Sequence, residues 1–297
     1  MAASAKRSVR TDVKALGRVS LLDLTLYLLP TLFLVGLVFG YPLIRVVQLS
    51  FIRADRFVGF ENYTALVRDE VFRSSLLHNA QLLLAVPVMI VLAVPIAMLL
   101  HQRPPGWRIY RTLIFLPYIV AIPVSGIAIG AIVSFRGGLN QFLSAAGLDI
   151  LVRDWLGRPD SALWVILGAI VWRELGFGIV LFLARLANVD NSLFEAAELD
   201  GANWWERLRD ITVPELRSVI SFFVVIEVIT VLVWTFAWVY VLTRGGPAGS
   251  TMVVDLYIFQ QAIQFRSYGI AAAAAVVLLV VSIGLIVIRF MLPQRGD

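Results

Sequence analysis

Six long stretches of apolar residues recur along this chain of 297 residues, and they restrict its fold more than any other feature. A helix needs about 20 mainly apolar residues to cross a bilayer. Hydrophobic residues make up 60% of the chain and charged residues only 15%, which is well below the charge of an ordinary soluble domain. The sequence predicts an all-α integral membrane protein with six transmembrane helices, at about 24–49, 77–101, 110–134, 161–184, 218–243 and 267–292.

The segment before the first apolar stretch is basic, and it bears on processing and orientation. A cleaved signal peptide has an apolar region of only about 7–15 residues, so the run 24–49 indicates a retained span. Lys and Arg favour the cytoplasmic side of membrane proteins. If the N-terminus lies inside, the inner segments hold more Lys and Arg than the outer ones. We therefore expect cytoplasmic tails at 1–23 and 293–297 around a six-helix transmembrane domain at 24–292.

Residue types alone exclude several kinds of site. The chain has no cysteine, which excludes disulfides, thiolate catalysis and cysteine metal sites. The two histidines, His78 and His101, are far apart and predict no metal cluster. Both lysines, Lys6 and Lys14, lie in the N-terminal tail, so the chain lacks the phosphate-binding lysine of a P-loop ATPase. The net charge of +5 suits anionic lipid headgroups, and no nucleic-acid-binding pattern is present.

Residues 191–217 form the most polar internal stretch on the predicted inner side. Ser192 and Glu195 have the spacing of a capping box, which predicts a helix at 193–200. Gly201 stands where a C′ glycine would end that helix. A rigid bend at the membrane surface is therefore expected.

The same start signal is repeated further along this stretch. Asn203 and Glu206 predict a second short helix through about Asp210, and Pro214 is placed to open the fifth span. The first of the two helices is too short to be stable alone and unusually apolar. Two interpretations remain open: an interfacial helix that rests on lipid, or a knob that fits a groove on a cytosolic partner.

The string EAAELDGANWWERLRDITVPEL resembles the EAA loop of bacterial ABC-importer permeases, whose pattern runs E-A-A, D-G-A, then I and L-P. The residues that match are Glu195, Ala196, Ala197, Asp200, Gly201, Ala202, Ile211 and Pro214. Val213 departs from the leucine that usually precedes the proline. A second stretch, 241–263, resembles the T-x-G-G-P-x-x-S-T segment of the maltose- and glycerol-phosphate-type sugar permeases. Its matching residues are Thr243, Gly245, Gly246, Pro247, Ser250 and Thr251.

This resemblance implies the type I ABC-importer permease fold with a cytoplasmic coupling-helix loop at 191–217. In such importers two permeases pair on two cytosolic ATPases, which bind the ATP and Mg²⁺, and an extracytoplasmic binding protein delivers a sugar or related polar solute. The resemblance implies that this chain is not an enzyme and needs no cofactor of its own. It implies the bacterial inner membrane, with both termini cytoplasmic. Glu195 would be a polar anchor on the ATPase and Gly201 the turn, and the outer segment 244–266 would face the binding protein and the partner permease.

Ionisable residues inside predicted spans are candidates for the solute pathway. Arg173 and Glu174 lie in the fourth span and Glu227 in the fifth. Buried charges in membranes are costly and usually face a cavity or one another. An ion pair between Arg173 and Glu227 would fit either a pathway or a purely structural link between helices.

Aromatic and amide side chains supply the remaining pathway candidates. Trp234 and Trp238 are spaced i, i+4 in the fifth span and would share one helix face. That face could stack on a sugar, or its tryptophans could be interfacial anchors. Asn79 and Gln81 in the second span are similar candidates.

Two other function classes fit part of the pattern. A secondary transporter or channel would share the spans and the buried charges but would not need a capped loop that binds a partner. A membrane enzyme would need acid–base or metal-binding side chains gathered at one interface, whereas the carboxylates here are dispersed.

Overall fold

The computed structural model describes residues 21–291, so the predicted tail 293–297 and most of the basic N-terminal tail lie outside the described residues. The chain divides into two compact units, residues 1–49 and residues 50–297. The first unit contains α1 (Leu21–Val35) and α2 (Tyr41–Leu49), joined by a π-helical turn at Gly36–Gly40. This unit is helical over the predicted first span, and none of the side chains described in 25–49 is buried.

The second unit is helical apart from one small ribbon. Strands β1 (Ile52–Arg53) and β2 (Arg56–Phe57) pair antiparallel with Ile52 opposite Phe57. The helices that follow are α3 (Glu61–Arg68), α4 (Glu70–Leu82), α5 (Ala85–His101), α6 (Trp107–Ile119), α7 (Ile122–Val133), α8 (Gly138–Ala145), α9 (Ala162–Leu186), α10 (Asn191–Leu199), α11 (Trp204–Arg207), α12 (Val213–Val233), α13 (Thr235–Leu242), α14 (Val254–Phe259) and α15 (Tyr268–Met291). Short turns occupy Asp149–Leu151, a 3₁₀ helix, and Leu208–Thr212 and Gln260–Gln264, both π-helical.

Six helical segments of the described residues are long and apolar enough to cross a membrane, as predicted. They are Thr25–Leu49, Glu70–His101, Ile122–Ala145, Ala162–Leu186, Trp204–Val233 and Tyr268–Ile288. The predicted second span, 77–101, begins too late, because the helical segment starts at Glu70. Asp69 caps the helix there by accepting hydrogen bonds from the backbone N–H groups of Val71 and Phe72. Polar residues in α4 concealed this extension from hydropathy alone.

The third predicted span, 110–134, is not one helix. Helix α6 ends at Ile119, and extended backbone at Val120 and Ala121 separates it from α7. Pro123 lies in the first turn of α7, where its missing N–H costs least. The prolines thus divide one apolar run into two helices.

The fifth predicted span is also wrong at both ends. Helix α11 continues through the π-helical turn Leu208–Thr212 directly into α12, so no separate helix ends near Asp210. Pro214 lies in the first turn of α12, immediately after that wider turn. The helix is then interrupted at Trp234 before α13 begins. A single helical rod therefore runs from Trp204 to Val233.

The core of this unit lies where α5, α9 and α12 cross. Gly178 makes the crossing possible, because a Cβ atom there would lie 2.9 Å from the Phe223 ring and 3.5 Å from Ala93. Phe182 also packs on Phe223, with ring centroids 5.3 Å apart. Close helix approach over small residues is the usual basis of helix association in membranes. The helices of this core also carry the two parts of the candidate site: α5 contacts the EAA loop at His101, and α9 lines a cavity with Arg173 and Glu174.

Candidate functional site

The EAA loop begins with a cap that differs from the predicted one. Helix α10 starts at Asn191, and the carboxylate of Asp190 accepts a hydrogen bond of 2.9 Å from the backbone N–H of Ser192. The predicted capping box of Ser192 and Glu195 is therefore wrong. The same backbone bond holds the pKa of the Asp190 carboxyl below its usual range. Asp190 was missed because it directly precedes two other residues with polar side chains.

The turn after α10 is the predicted glycine turn. Gly201 has φ +82°, and its N–H donates to the carbonyl of Glu198 while the N–H of Ala202 donates to the carbonyl of Ala197. These two bonds form a Schellman motif, which ends a helix with a residue in the left-handed conformation. The backbone therefore reverses at one defined point.

The second predicted cap is present. The side chain of Asn203 accepts from the N–H groups of Trp205 and Glu206, and the Glu206 carboxylate accepts from the N–H of Asn203 at 2.7 Å. Each end of the capping box thus satisfies a backbone group of the other. Helix α11 starts at a fixed angle after the turn.

Two side-chain contacts hold α10 against the rest of the unit. Phe194 packs on the ring of His101, at the end of α5, with centroids 5.7 Å apart. Across the glycine turn, Arg207 forms an ion pair with Glu198. Neither His101 nor Arg207 was predicted for this role, because His101 is distant in sequence from Phe194 and the contact of Arg207 with Glu198 depends on the geometry of the glycine turn.

The side of the loop that faces away from the rest of the chain is largely apolar. Leu199 is 89% exposed, and Leu193 and Trp205 are also exposed. Glu195 is exposed and borders a cavity of about 200 Å³ shared with His101. The other matched residues fall on α10, on the turn, or on the start of the long rod: Ala196, Ala197, Asp200, Gly201, Ile211 and Pro214. This arrangement leaves a surface of apolar and acidic side chains free for a partner.

A second part of the site is a cavity of about 450 Å³ between α6, α9 and α12. Arg173, Glu174 and Trp234 line it together with Tyr118, a residue that the sequence did not single out. The Arg173 guanidinium lies 5.1 Å from the centroid of the Tyr118 ring and forms an ion pair with Glu174. Trp234 is 62% exposed at the break that ends α12.

The predicted pairing of Arg173 with Glu227 is not formed. Arg173 pairs with its neighbour Glu174 and donates a bond of 3.4 Å to the carbonyl of Val120. Glu227 is buried, and its Oε2 has no hydrogen-bond partner within residues 21–291. The carbonyl of Val120 is available because α6 is interrupted there, a feature that the sequence did not reveal.

The predicted shared face of Trp234 and Trp238 is also wrong. The helix is interrupted at Trp234, and Trp238 is only 2% exposed in the core. A Cβ atom on Gly126 would lie 4.0 Å from the Trp238 ring, so this indole packs against α7. Trp234 alone of the two lines the cavity.

Asn79 has a structural position instead of one in the cavity. Its Oδ1 accepts a hydrogen bond of 2.9 Å from the backbone N–H of Val254, at the start of α14. The neighbouring His78 ring nitrogen lies 2.7 Å from the carbonyl of Met252. Gln81 is exposed. These bonds attach the segment after α13 to α4.

The glycine-proline motif forms one compact turn. The hydroxyls of Thr243 and Thr251 are 2.7 Å apart, and Thr251 also donates to the carbonyl of Gly246 at 2.8 Å. The Gly246–Pro247 peptide bond is cis, and Gly245 has φ +87°. Five residues of the segment 244–266 are buried within this chain and unavailable to a partner: Met252, Val253, Val254, Leu256 and Tyr257. For the rest of the segment, the expectation that it faces the binding protein and the partner permease stays a prediction.

Asp255 is a further residue that the sequence did not indicate. Its carboxylate accepts hydrogen bonds from the backbone N–H groups of Phe236 and Leu256, so it joins the starts of α13 and α14. Burial raises the pKa of this carboxyl to about 7, against the opposing effect of those two bonds.

Comparison with known proteins decides the family. Residues 62–295 match the model of the family described as "Binding-protein-dependent transport system inner membrane component". The chain belongs to this family. It is thus a multi-pass permease of the inner membrane, the membrane subunit of an ABC importer, and not an enzyme, since the ATPase is a separate subunit in this family. The predicted fold class and the importer function are confirmed.

Relatives and solved structures agree with this assignment. The lactose transport system permease protein LacF of Rhizobium radiobacter is 32% identical over 266 residues, which cover 86% of this permease and 89% of LacF. The sulfoquinovosyl glycerol transport system permease protein SmoG of Agrobacterium fabrum is 30% identical over 305 residues, which cover 97% and 98% of the two chains. A bacterial alginate ABC transporter, solved in complex with an alginate pentasaccharide-bound periplasmic protein, has the same fold, with a TM-score of 0.81 and 24% identity over 92% of this permease and 95% of that chain.

Proposed function

We propose that this permease carries a carbohydrate or a related polar solute, and that the solute contacts the cavity lined by Tyr118, Arg173 and Trp234. The combination of aromatic faces with a charged, hydrogen-bonding pair carries this proposal. Sugar rings present C–H faces that stack on aromatic rings and hydroxyls that bind charged groups. LacF and SmoG are named for sugar-containing solutes, which supports the same solute class here.

We further propose that the EAA loop couples the permease to a cytosolic ATPase. The exposed Leu199, Leu193 and Trp205 would enter a groove of that partner, with Glu195 as a polar anchor. An amphipathic helix that places its apolar face in a groove is a common mode of recognition. ATP and Mg²⁺ would be bound by the ATPase. This assignment favours the partner-binding interpretation over a helix that rests on lipid.

The remaining assembly is proposed from the family. A second permease would complete the pathway, a pair of ATPases would stand below, and an extracytoplasmic binding protein would deliver the solute. The loop 191–217 and both termini would then be cytoplasmic, as the distribution of Lys and Arg indicates. Residues 135–160 would lie on the outer side.

Uptake by proteoliposomes tests the solute assignment. The permease, co-purified with its ATPase, second permease and binding protein, is supplied with internal ATP and a panel of labelled oligosaccharides. We expect uptake of at least one sugar, and at least a tenfold loss with Trp234→Ala. Phe142→Ala, which removes an exposed aromatic side chain outside the cavity, should leave uptake unchanged. Equal uptake by both variants would contradict the cavity assignment.

A further inference from the structure

A second groove runs between α7 and α9 and shares no lining residue with the solute cavity. Its volume is about 640 Å³, within the range of small-molecule sites. Ala128, Gly168 and Ala169 contribute only small side chains to it, while Ile132, Trp164 and Trp172 are among its large apolar ones. Nothing in the coupling or solute assignments uses this groove.

Arg153 lies in the lining and is held by a fixed platform. Its guanidinium carbon lies 4.9 Å from the centroid of the Trp155 ring. The Trp155 indole donates a bond of 2.8 Å to the Asn140 side chain, and Asn140 in turn donates to the carbonyl of Arg153 at 2.8 Å. The hydroxyl of Ser161 donates to the Trp155 carbonyl at 2.7 Å. Trp155 therefore contacts the cation, and Asn140 and Ser161 hold Trp155 and the Arg153 backbone in place.

Arg153 forms no salt bridge in the part of the chain that the structure describes. Asp160, the acid that lines the groove, interacts with Arg153 electrostatically at longer range but is paired with Arg158 at 3.1 Å. The two arginines outnumber this one carboxylate, so the polar end of the groove is complementary to a molecule with an anionic head and an apolar tail. A purely apolar partner helix would add no counter-charge at that end.

The shape of the groove suits an apolar chain. Trp164 and Trp172 are both about half exposed and are spaced so that Gly168 lies between them on one face of α9. A Cβ atom on Gly168 would meet no heavy atom within 4 Å. Trp164 lies in the first turn of α9, and tryptophan is enriched at membrane interfaces, so this end of the groove opens where lipid would enter.

We propose that this groove binds one anionic phospholipid, with its phosphate on Arg153 and an acyl chain between α7 and α9. Basic pockets between transmembrane helices bind anionic headgroups on the cytoplasmic side of other proteins. Arg153 lies in the segment assigned to the outer side, so the headgroup here would belong to the outer leaflet. This lipid site would be separate from the solute cavity and from the EAA loop, where the ATPase is proposed to bind.

Native mass spectrometry of the full-length permease in mild detergent tests this proposal, with phosphatidylglycerol and phosphatidylcholine added in competition. We expect one retained phosphatidylglycerol and a preference of about fivefold over phosphatidylcholine, the effect of one cation near a membrane surface. Arg153→Gln should abolish the preference. Arg136→Gln, which removes an exposed arginine outside the groove, should keep it.

A second variant pair tests the groove separately from the charge. Gly168→Leu fills the groove and should abolish retention of the lipid, while Gly284→Leu, at another open position in α15, should not. Retention by Arg153→Gln and Gly168→Leu equal to that of the wild type would overturn the proposal. So would cysteine cross-linking at position 168 that joins this groove to a helix of the second permease in the assembled importer.

Discussion

Gly201 is the residue on which the shape of the EAA loop depends most directly. Its φ of +82° lies in the left-handed region, which costs residues with a side chain about 1–2 kcal/mol. A Cβ atom there would meet nothing within 4 Å. The obstacle to substitution is therefore backbone conformation and not space.

We predict that Gly201→Val abolishes uptake while the protein still inserts, because a β-branched residue strains this turn most. Gly201→Asn should keep a large part of the uptake, since asparagine tolerates the left-handed conformation. Uptake is measured in proteoliposomes, and the amount inserted is measured by immunoblot of membranes. Equal uptake by the Gly201→Val and Gly201→Asn variants would show that uptake does not depend on the left-handed conformation of this turn.

The ion pair of Glu198 and Arg207 makes a separate prediction. It joins the two helices on either side of the glycine turn, so it should fix their angle. We expect Arg207→Met or Glu198→Gln to reduce the ratio of uptake to ATP hydrolysis severalfold without loss of inserted protein. The exchange of the two charges, Glu198→Arg with Arg207→Glu, should restore part of that ratio. No recovery in the double variant would show that the pair does not act as a link.

At this scale the sequence predicted one cap correctly and one incorrectly. Asn203 competes with no other capping side chain after Gly201, so its role was clear. Before α10, Asp190, Asn191 and Ser192 are all residue types that cap helices, and sequence does not decide among them. Contacts such as Arg207 with Glu198 depend on the turn geometry and were not predictable.

At the scale of elements, the segment after α13 is attached to α4 as part of the fold. The N–H of Val254 donates to the side-chain oxygen of Asn79, and the hydroxyl of Tyr257 donates to Asp69 at 2.6 Å. Asp69 also caps α4. These bonds therefore join α14 to α4 near the glycine-proline turn.

We predict that Asn79→Leu lowers the free energy of unfolding by about 1–3 kcal/mol, because it leaves a buried N–H group without an acceptor. Gln81→Leu, at an exposed neighbouring position, should have little effect. Thermal unfolding in detergent measures the differences. A stable Asn79→Leu variant with poor uptake would instead place Asn79 in the solute pathway.

The number of spans was predictable, but the interruptions within them were not. Hydropathy counts apolar residues, and the runs around Val120 and Trp234 are as apolar as their neighbours. The interruption at Trp234 is stabilised by Asp255, which accepts a bond from the N–H of Phe236 in the new helix. That partner lies on another element, so only the folded chain reveals it.

At the scale of the whole permease, one rod joins the two parts of the site within residues 50–297. The helix from Trp204 to Val233 is continuous and, at about 1.5 Å per residue, about 45 Å long. The second half of the EAA loop forms the first turns of this helix, and Trp234 borders the solute cavity directly after its last residue. A displacement of the loop by an ATPase would therefore move the cavity wall.

Cysteine labelling and cross-linking test whether the EAA loop is cytoplasmic and docks on an ATPase. The chain has no cysteine, so single cysteines report without background. Leu199 and Ile150 are almost equally exposed, at 89% and 91%. In the permease without its ATPase, Leu199→Cys should react with impermeant maleimide only from the inside, and Ile150→Cys only from the outside. In the assembled importer, Leu199→Cys should cross-link to the ATPase and Ile150→Cys should not. Labelling of Leu199→Cys from the outside, or its failure to cross-link to the ATPase, would contradict the account.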